Sequence, residues 1–99
     1  MILAHRGHDV LLADCGRNAI NMVAQQKPHI AVLDLHLPDM GGLELLAQIH
    51  RLDPAVTILV LTGSDREAIL NRAQHFGATD VFQKGVSLQY LGQAIDQLV

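Results

Sequence analysis

His29-Ile30-Ala31-Val32-Leu33-Asp34 leads directly into Leu35-His36-Leu37-Pro38-Asp39-Met40-Gly41-Gly42, and this stretch decides how the chain reads. Four consecutive apolar residues are too few for a helix and suit a strand buried on both faces, the pattern of a parallel sheet. One carboxylate, Asp34, ends the run. Pro38 and Gly41-Gly42 then force a tight loop before the next helix. In open α/β sheets, chemistry sits just beyond the carboxyl ends of the strands, which is where Asp34 falls.

Working outward, Val56-Thr57-Ile58-Leu59-Val60-Leu61 is the strongest strand pattern, β-branched and apolar, and it ends at Thr62-Gly63. Asp80-Val81-Phe82-Gln83 is a short last strand ending at Lys84-Gly85, and Asp9 to Asp14 reads as an earlier one followed by a turn at Cys15-Gly16. Between them lie helical patterns. Ala19, Ile20, Val23 and Ala24 mark one face of a helix stopped by Pro28. Leu43, Leu46, Ile49 and His50 mark another that stops at Asp53-Pro54. Ser64-Asp65-Arg66-Glu67 is a capping box opening a helix with Ile69, Ala73 and Phe76, closed by Gly77. Ser87 caps a final helix in which Leu88, Leu91, Ile95 and Leu98 form an apolar stripe. That stripe is a core face first and offers a dimer face second. Met1 to Arg6, followed by Gly7, reads as the last turns of a helix whose beginning is absent.

Strands and helices therefore alternate with short links, which predicts a single α/β domain of parallel strands joined by right-handed crossovers. Ninety-nine residues allow one modest core, and the 49% apolar content fits a globular protein. A formal net charge of −3 gives no electrostatic reason to bind nucleic acid or an anionic membrane. The single cysteine, Cys15, reads as a small turn residue and points to a reducing compartment, and no apolar run approaches membrane-spanning length. A soluble cytoplasmic domain is expected. The six histidines show no close spacing with a third ligand, which argues against a structural metal site.

Three strands thus end in a carboxylate, a hydroxyl and an ammonium: Asp34, Thr62 and Lys84. Parallel strands would bring all three to one rim. Asp34 can attack a phosphoryl group and hold it as an acyl phosphate. Lys84 can pair with the resulting dianion, and Thr62 can donate a hydrogen bond to it.

These segments, VLDLHLPDMGGLELL around Asp34, ILVLTGS ending in Thr62-Gly63-Ser64, and GATDVFQKG around Lys84, resemble the receiver domain of two-component response regulators. The resemblance runs from about Asp9 to Val99. It implies a flavodoxin-like doubly wound parallel sheet, with Asp34 as phosphoacceptor, Thr62 as switch hydroxyl and Lys84 as the phosphate-pairing lysine. It implies Mg²⁺ held by Asp34 and the backbone carbonyl of His36, while the His36 side chain and Ser64 occupy positions that tune the lifetime of the phosphoryl group. It also implies a sensor histidine kinase or phosphotransfer protein as partner. Switching would run through the surface of the family's helix 4, strand 5 and helix 5. A DNA-binding output domain would belong to a longer parent protein. The domain itself would be a switch with at most self-catalysed phosphotransfer and dephosphorylation.

The chain departs from the family in several places. The family's first strand, which ends in two adjacent acids, and most of its first helix have no counterpart, so the chain reads as an N-terminally shortened receiver, residues 1–99. Gly85 stands where many receivers have proline, although a Lys-Gly pair resembles the branch with helix-turn-helix outputs. Val81 holds the place of the aromatic switch residue, and Phe82 is expected in the core. In the family's 2-1-3-4-5 sheet the missing strand would be central. Its loss would orphan several hydrogen bonds a side at about 1 kcal/mol each, on the order of 5–10 kcal/mol, which rivals the stability of a small domain. A plain vacancy is therefore disfavoured, and three repairs stand against it. The chain is a fragment of a longer product, the Val10–Leu12 strand moves to pair with the Asp34 strand, or a second chain fills the gap. If that strand moves inward, Asp14 could stand in for the lost acidic pair. Without such an acid, the alternative is a receiver-like interaction or dimerisation module that takes no phosphoryl group. An aspartyl-phosphate phosphatase of the haloacid dehalogenase kind needs a second Asp two residues beyond the nucleophile, and His36 stands there.

Overall fold

A computed structural model of the chain describes residues 2–5, 7–13, 15–35, 40–63, 66–85 and 88–98. Five strands form one sheet in the order β1-β2-β3-β4-β5: β1 Ile2–His5, β2 His8–Leu12, β3 Ile30–Asp34, β4 Thr57–Thr62 and β5 Asp80–Gln83. Strands β2 to β5 are mutually parallel, as the alternating pattern requires, and β1 runs antiparallel to β2. The helices are α1 Gly16–Gln26, α2 Gly42–Leu52, α3 Arg66–His75 and α4 Leu88–Leu98.

The N-terminal segment corrects the sequence reading: Ile2–His5 is a strand and not the end of a helix. Residues 2–5 find their backbone partners in a neighbouring strand and not within a helical turn. They can pair with the apolar Val10-Leu11-Leu12 run, and the register His5↔His8 leaves a two-residue connection, Arg6-Gly7. Gly7 has φ +84°, the left-handed conformation that hairpin turns require and that glycine adopts at least cost.

The same region bears on the central-strand question. Within the described sheet β2 pairs directly with β3, Val10↔Ile30, Leu11↔Ala31 and Leu12↔Val32, the pairing that the second of the three repairs names. The β3 ladder is thereby satisfied on both sides, because β4 pairs with it through five residues from Ile30↔Thr57 to Asp34↔Leu61. At the entry to β3, the Asp9 amide donates to His29 Nδ1 at 2.9 Å while the His29 amide donates to the Asp9 carbonyl at 3.0 Å.

Burial on both faces of the sheet follows the period of two. Leu11, Ala31, Leu33, Ile58, Val60 and Val81 pack with Ala19 and Val23 of α1, Leu45, Leu46 and Ile49 of α2, and Ala73 of α3. The alternate residues Val10, Ile30, Val32, Leu59 and Phe82 pack with Ile95 of α4. Phe82 is thus in the core, as expected. Helices cover both faces, which makes this the α/β architecture of parallel strands that the sequence predicts.

Helix ends also follow the sequence. Lys27 takes a left-handed C-cap with φ 46° ahead of Pro28, and Asp53 caps α2 ahead of Pro54. Gly77 closes α3 with φ +114°. Ala24 is exposed, so the buried face of α1 is narrower than its pattern suggested. Ser64 and Ser87, read as helix caps, lie outside the described residues.

Candidate anion pocket at the carboxyl rim of the sheet

The rim is built by parity and register. Ile30 and Val32 face the α4 side, and so does Phe82. A step of two residues along each strand brings Asp34 and Lys84 to that same side. Since β4 lies between β3 and β5, their ends stand about two strand spacings, roughly 9–10 Å, apart. A short basic side chain could not cross that gap. The Lys84 stem spans it, passing the end of β4 with its Cδ 4.0 Å from where a Cβ on Gly63 would stand. Its Nζ lies 3.0 Å from Asp34 Oδ2.

Backbone bonds hold the three strand ends in place. The Leu35 amide donates to the Leu61 carbonyl at 3.1 Å, and the Lys84 amide donates to the Thr62 carbonyl at 2.8 Å. Thr62 pairs in register with Gln83 and is fully buried, the one buried polar side chain in the described core. It continues the Ile58, Val60 parity and so belongs to the α1–α3 side. The sheet therefore gathers the carboxylate and the ammonium on one side of the rim and sets the hydroxyl beside them on the adjacent strand.

The start of α2 is pressed against the same rim. The Gly42 amide donates to the Leu35 carbonyl at 3.2 Å, and a Cβ on Gly42 would lie only 2.4 Å from Leu35 Cα. Hence the second glycine of the Gly-Gly pair is required by close approach, whereas Gly41 has open space around it. On the other flank, Gly85 has φ +98°, a conformation proline cannot adopt. This gives a physical reason for glycine where many receivers carry proline.

The Asp34–Lys84 pair contributes little to stability. The side chains are 33% and 41% exposed, and ion pairs of that exposure are worth about 0–1 kcal/mol. What it provides is a positive charge already seated beside a carboxylate. Asp34 is the carboxylate at this rim among the described residues, and one of its oxygens faces Lys84. A lone carboxylate is a thin donor set for Mg²⁺, which favours six oxygen ligands. No cluster of three His, Cys, Asp or Glu side chains occurs among the described residues. His36 and Asp14, the other metal candidates, lie outside the described residues, as does Ser64. The condition attached to Asp14 is nevertheless met, because β2 has taken the place beside β3.

The sequence reading missed Arg66. Its Nε donates to the Val81 carbonyl and its Nη2 to Asp80 Oδ1, both at 2.9 Å, while the Val81 amide donates to Asp80 Oδ1 at 2.8 Å. A signal was present: an arginine in the first turn of a helix opposes the helix dipole and calls for local acceptors. Glu67, read as half of a capping box, contacts Arg66 Nη1 at 3.3 Å.

Four parallel strands with helices on both faces and an Asp–Lys pair beyond the strand ends define an α/β fold with a charged site at the carboxyl rim of its sheet. Residues 1–96 match the family model of the response regulator receiver domain, and the chain belongs to that family. It is 30% identical over 86 residues to the response regulator GacA of Pseudomonas aeruginosa, a match covering 87% of this chain and 40% of that protein. The CheY-like receiver domain protein of Methanospirillum hungatei superposes with a TM-score of 0.82 at 26% identity, covering 93% of this chain and 74% of the other. A response regulator from Burkholderia pseudomallei, solved with a phosphorylated aspartic acid, a calcium ion and citrate, superposes with a TM-score of 0.75 at 27% identity, covering 94% and 59%. The chain spans less than half the length of the curated relatives it matches. No helix among the described residues is long and apolar enough to cross a membrane.

Proposed function

We propose that this domain is a cytoplasmic signalling switch that accepts a phosphoryl group on Asp34 from a sensor histidine kinase or phosphotransfer protein. The observation that carries the reading is the 3.0 Å contact between Lys84 Nζ and Asp34 Oδ2 at the ends of parallel strands. An Asp34 oxygen attacks phosphorus, the O–P bond forms, and the N–P bond to the donor histidine breaks, the imidazole leaving with a proton. Lys84 then pairs with the acyl phosphate in place of the carboxylate, so no new charge has to be brought in. Phosphoryl transfer depends mainly on such positioning and charge neutralisation. The Thr62 hydroxyl donates to a phosphate oxygen, drawing the segment between β4 and α3 toward the rim. The surface formed by α3, β5 and α4 changes with it.

Mg²⁺, when bound, supplies charge neutralisation at the phosphoryl oxygens. Asp34 and the His36 carbonyl are its assigned ligands. Asp14 is the further carboxylate we assign, since it stands two residues beyond Leu12 just as Asp34 stands two beyond Val32, the partner of Leu12. The His36 side chain and Ser64 tune how long the acyl phosphate survives. A DNA-binding output domain, if present in a longer parent protein, reads the changed surface.

Driving a switch from 1:99 to 99:1 takes about 5.5 kcal/mol of differential stabilisation. The reading is tested by incubating the protein with phosphoramidate and Mg²⁺ and weighing it by mass spectrometry. The mass of one phosphoryl group, absent in Asp34→Asn, is the expected result. No gain, or a gain that survives the substitution, overturns it.

A further inference from the structure

We propose that Arg66 couples the anion pocket to the outer face of β5, acting as a positioning residue for the switch. The proposal rests on the phosphoacceptor reading above and goes beyond it. β5 is the last strand of the sheet, and the Val81 amide and carbonyl face its open edge. The amide is taken by Asp80 Oδ1 and the carbonyl by Arg66 Nε, while Arg66 Nη2 closes onto the same Asp80 oxygen. The guanidinium fork thus grips strand backbone and side chain at once, a geometry that a lysine's point charge cannot reproduce.

The consequence lies in connectivity. Thr62 is joined by three residues to Arg66, and Arg66 is hydrogen-bonded to Val81. Three residues along the chain from Val81 is Lys84, whose amide returns to the Thr62 carbonyl at 2.8 Å. These links form a closed ring that contains both the hydroxyl and the ammonium of the pocket. Phosphorylation that draws in Thr62 or re-aims Lys84 has to be accommodated within that ring. The Val81 side chain is fully buried and not aromatic, so a rotating ring does not carry the signal there. The backbone carbonyl held by Arg66 carries it instead, from the rim into the first turn of α3.

Arg66 and Asp80 are 39% and 33% exposed, so the contact can be altered without opening the core. The experiment compares amide NMR spectra of the protein, Arg66→Gln, Arg66→Lys and Asp80→Asn before and after treatment with phosphoramidate and Mg²⁺, with labelling followed by mass. In the unaltered protein, shifts should spread from residues 34–35, 62–63 and 84–85 into 66–75 and 80–83. In Arg66→Gln the α3 shifts should be lost while labelling at Asp34 persists. Asp80→Asn, which keeps the Arg66 Nε bond to the Val81 carbonyl and loses the charge that holds the fork, should weaken them, and Arg66→Lys should recover them only in part. Asp80→Asn leaves the Val81 amide an acceptor, so it tests the coupling even if Arg66→Gln fails to fold. Labelled variants whose shifts reach α3 as in the unaltered protein overturn this proposal alone. An unaltered protein that takes no phosphoryl group overturns the phosphoacceptor reading, and the coupling falls with it.

Discussion

Gly42→Ala tests how tightly the phosphoacceptor loop is locked to α2. In a free helix this substitution stabilises, because alanine is favoured over glycine by up to ~1 kcal/mol. Here the added Cβ would stand 2.4 Å from Leu35 Cα and 2.8 Å from the Leu35 carbonyl oxygen. Carbon atoms in ordinary contact stand about 3.5–4.0 Å apart, so one side must move by roughly 1 Å. Neither can swing aside as a side chain would. Leu35 follows a strand paired on both sides, and α2 is pinned by Leu45, Leu46 and Ile49, all fully buried. Overpacking of this kind costs about 1–3 kcal/mol, occasionally more, and backbone-to-backbone contact belongs at the upper end. After the helix gain is subtracted, the net loss is about 2 kcal/mol, which lowers Tm by about 8–16 °C in a domain of this size. Urea unfolding and thermal melting followed by circular dichroism read it directly. Gly41→Ala is the control: its φ is −69° and nothing lies within 4 Å, so no overpacking arises and only the N-cap preference for glycine over alanine is lost, a cost of about 1 kcal/mol or less. A Gly42→Ala protein as stable as the Gly41→Ala control would refute the close packing of α2 on the rim.

Other substitutions separate function from stability. Asp34→Asn and Lys84→Met should each shift the urea-derived stability by less than ~1 kcal/mol, because their ion pair is half exposed; a loss near 3 kcal/mol would show the pair to be a buried structural bridge. Gly77→Ala should cost about 2 kcal/mol, since φ is +114° and the new Cβ would meet His50 Cγ at 2.6 Å. Adding His50→Ala should restore only part of the steric share, because the alanine Cβ at 2.9 Å remains, and full restoration in the double variant would show that backbone conformation contributes nothing. Isothermal titration with Mg²⁺ should show binding weakened at least about tenfold in both Asp34→Asn and Asp14→Asn, in line with the loss of a charged ligand. Unchanged binding in Asp14→Asn would remove that residue from the metal site.

The candidate site was legible because each of its segments is a local pattern. A buried apolar run ending in one polar residue is readable without tertiary information, and Asp34, Thr62 and Lys84 each close such a run. β5 was read with its observed bounds for the same reason. What failed was the segment whose structure depends on its partner. Ile2–His5 has no helical or strand period long enough to decide, and its strand state comes from pairing with β2 across a glycine turn. The pairing of β2 with β3 could be named only as one of three repairs, because hydrogen-bond demand shows that the β3 edge must be filled but not by what. Arg66 escaped notice because its acceptors, Asp80 and Val81, are distant in sequence and meet it only once α3 packs on β5. Propensity says nothing about such a fork.

The most direct test of the account is the phosphoryl occupancy of Asp34 itself. After treatment with phosphoramidate and Mg²⁺, peptide mass spectrometry with borohydride trapping of the acyl phosphate should place the modification on Asp34, and Asp34→Asn should remain unlabelled. Labelling at another residue, or none under conditions that label a receiver of known competence, would contradict the claim that this rim is built to hold a phosphoryl group.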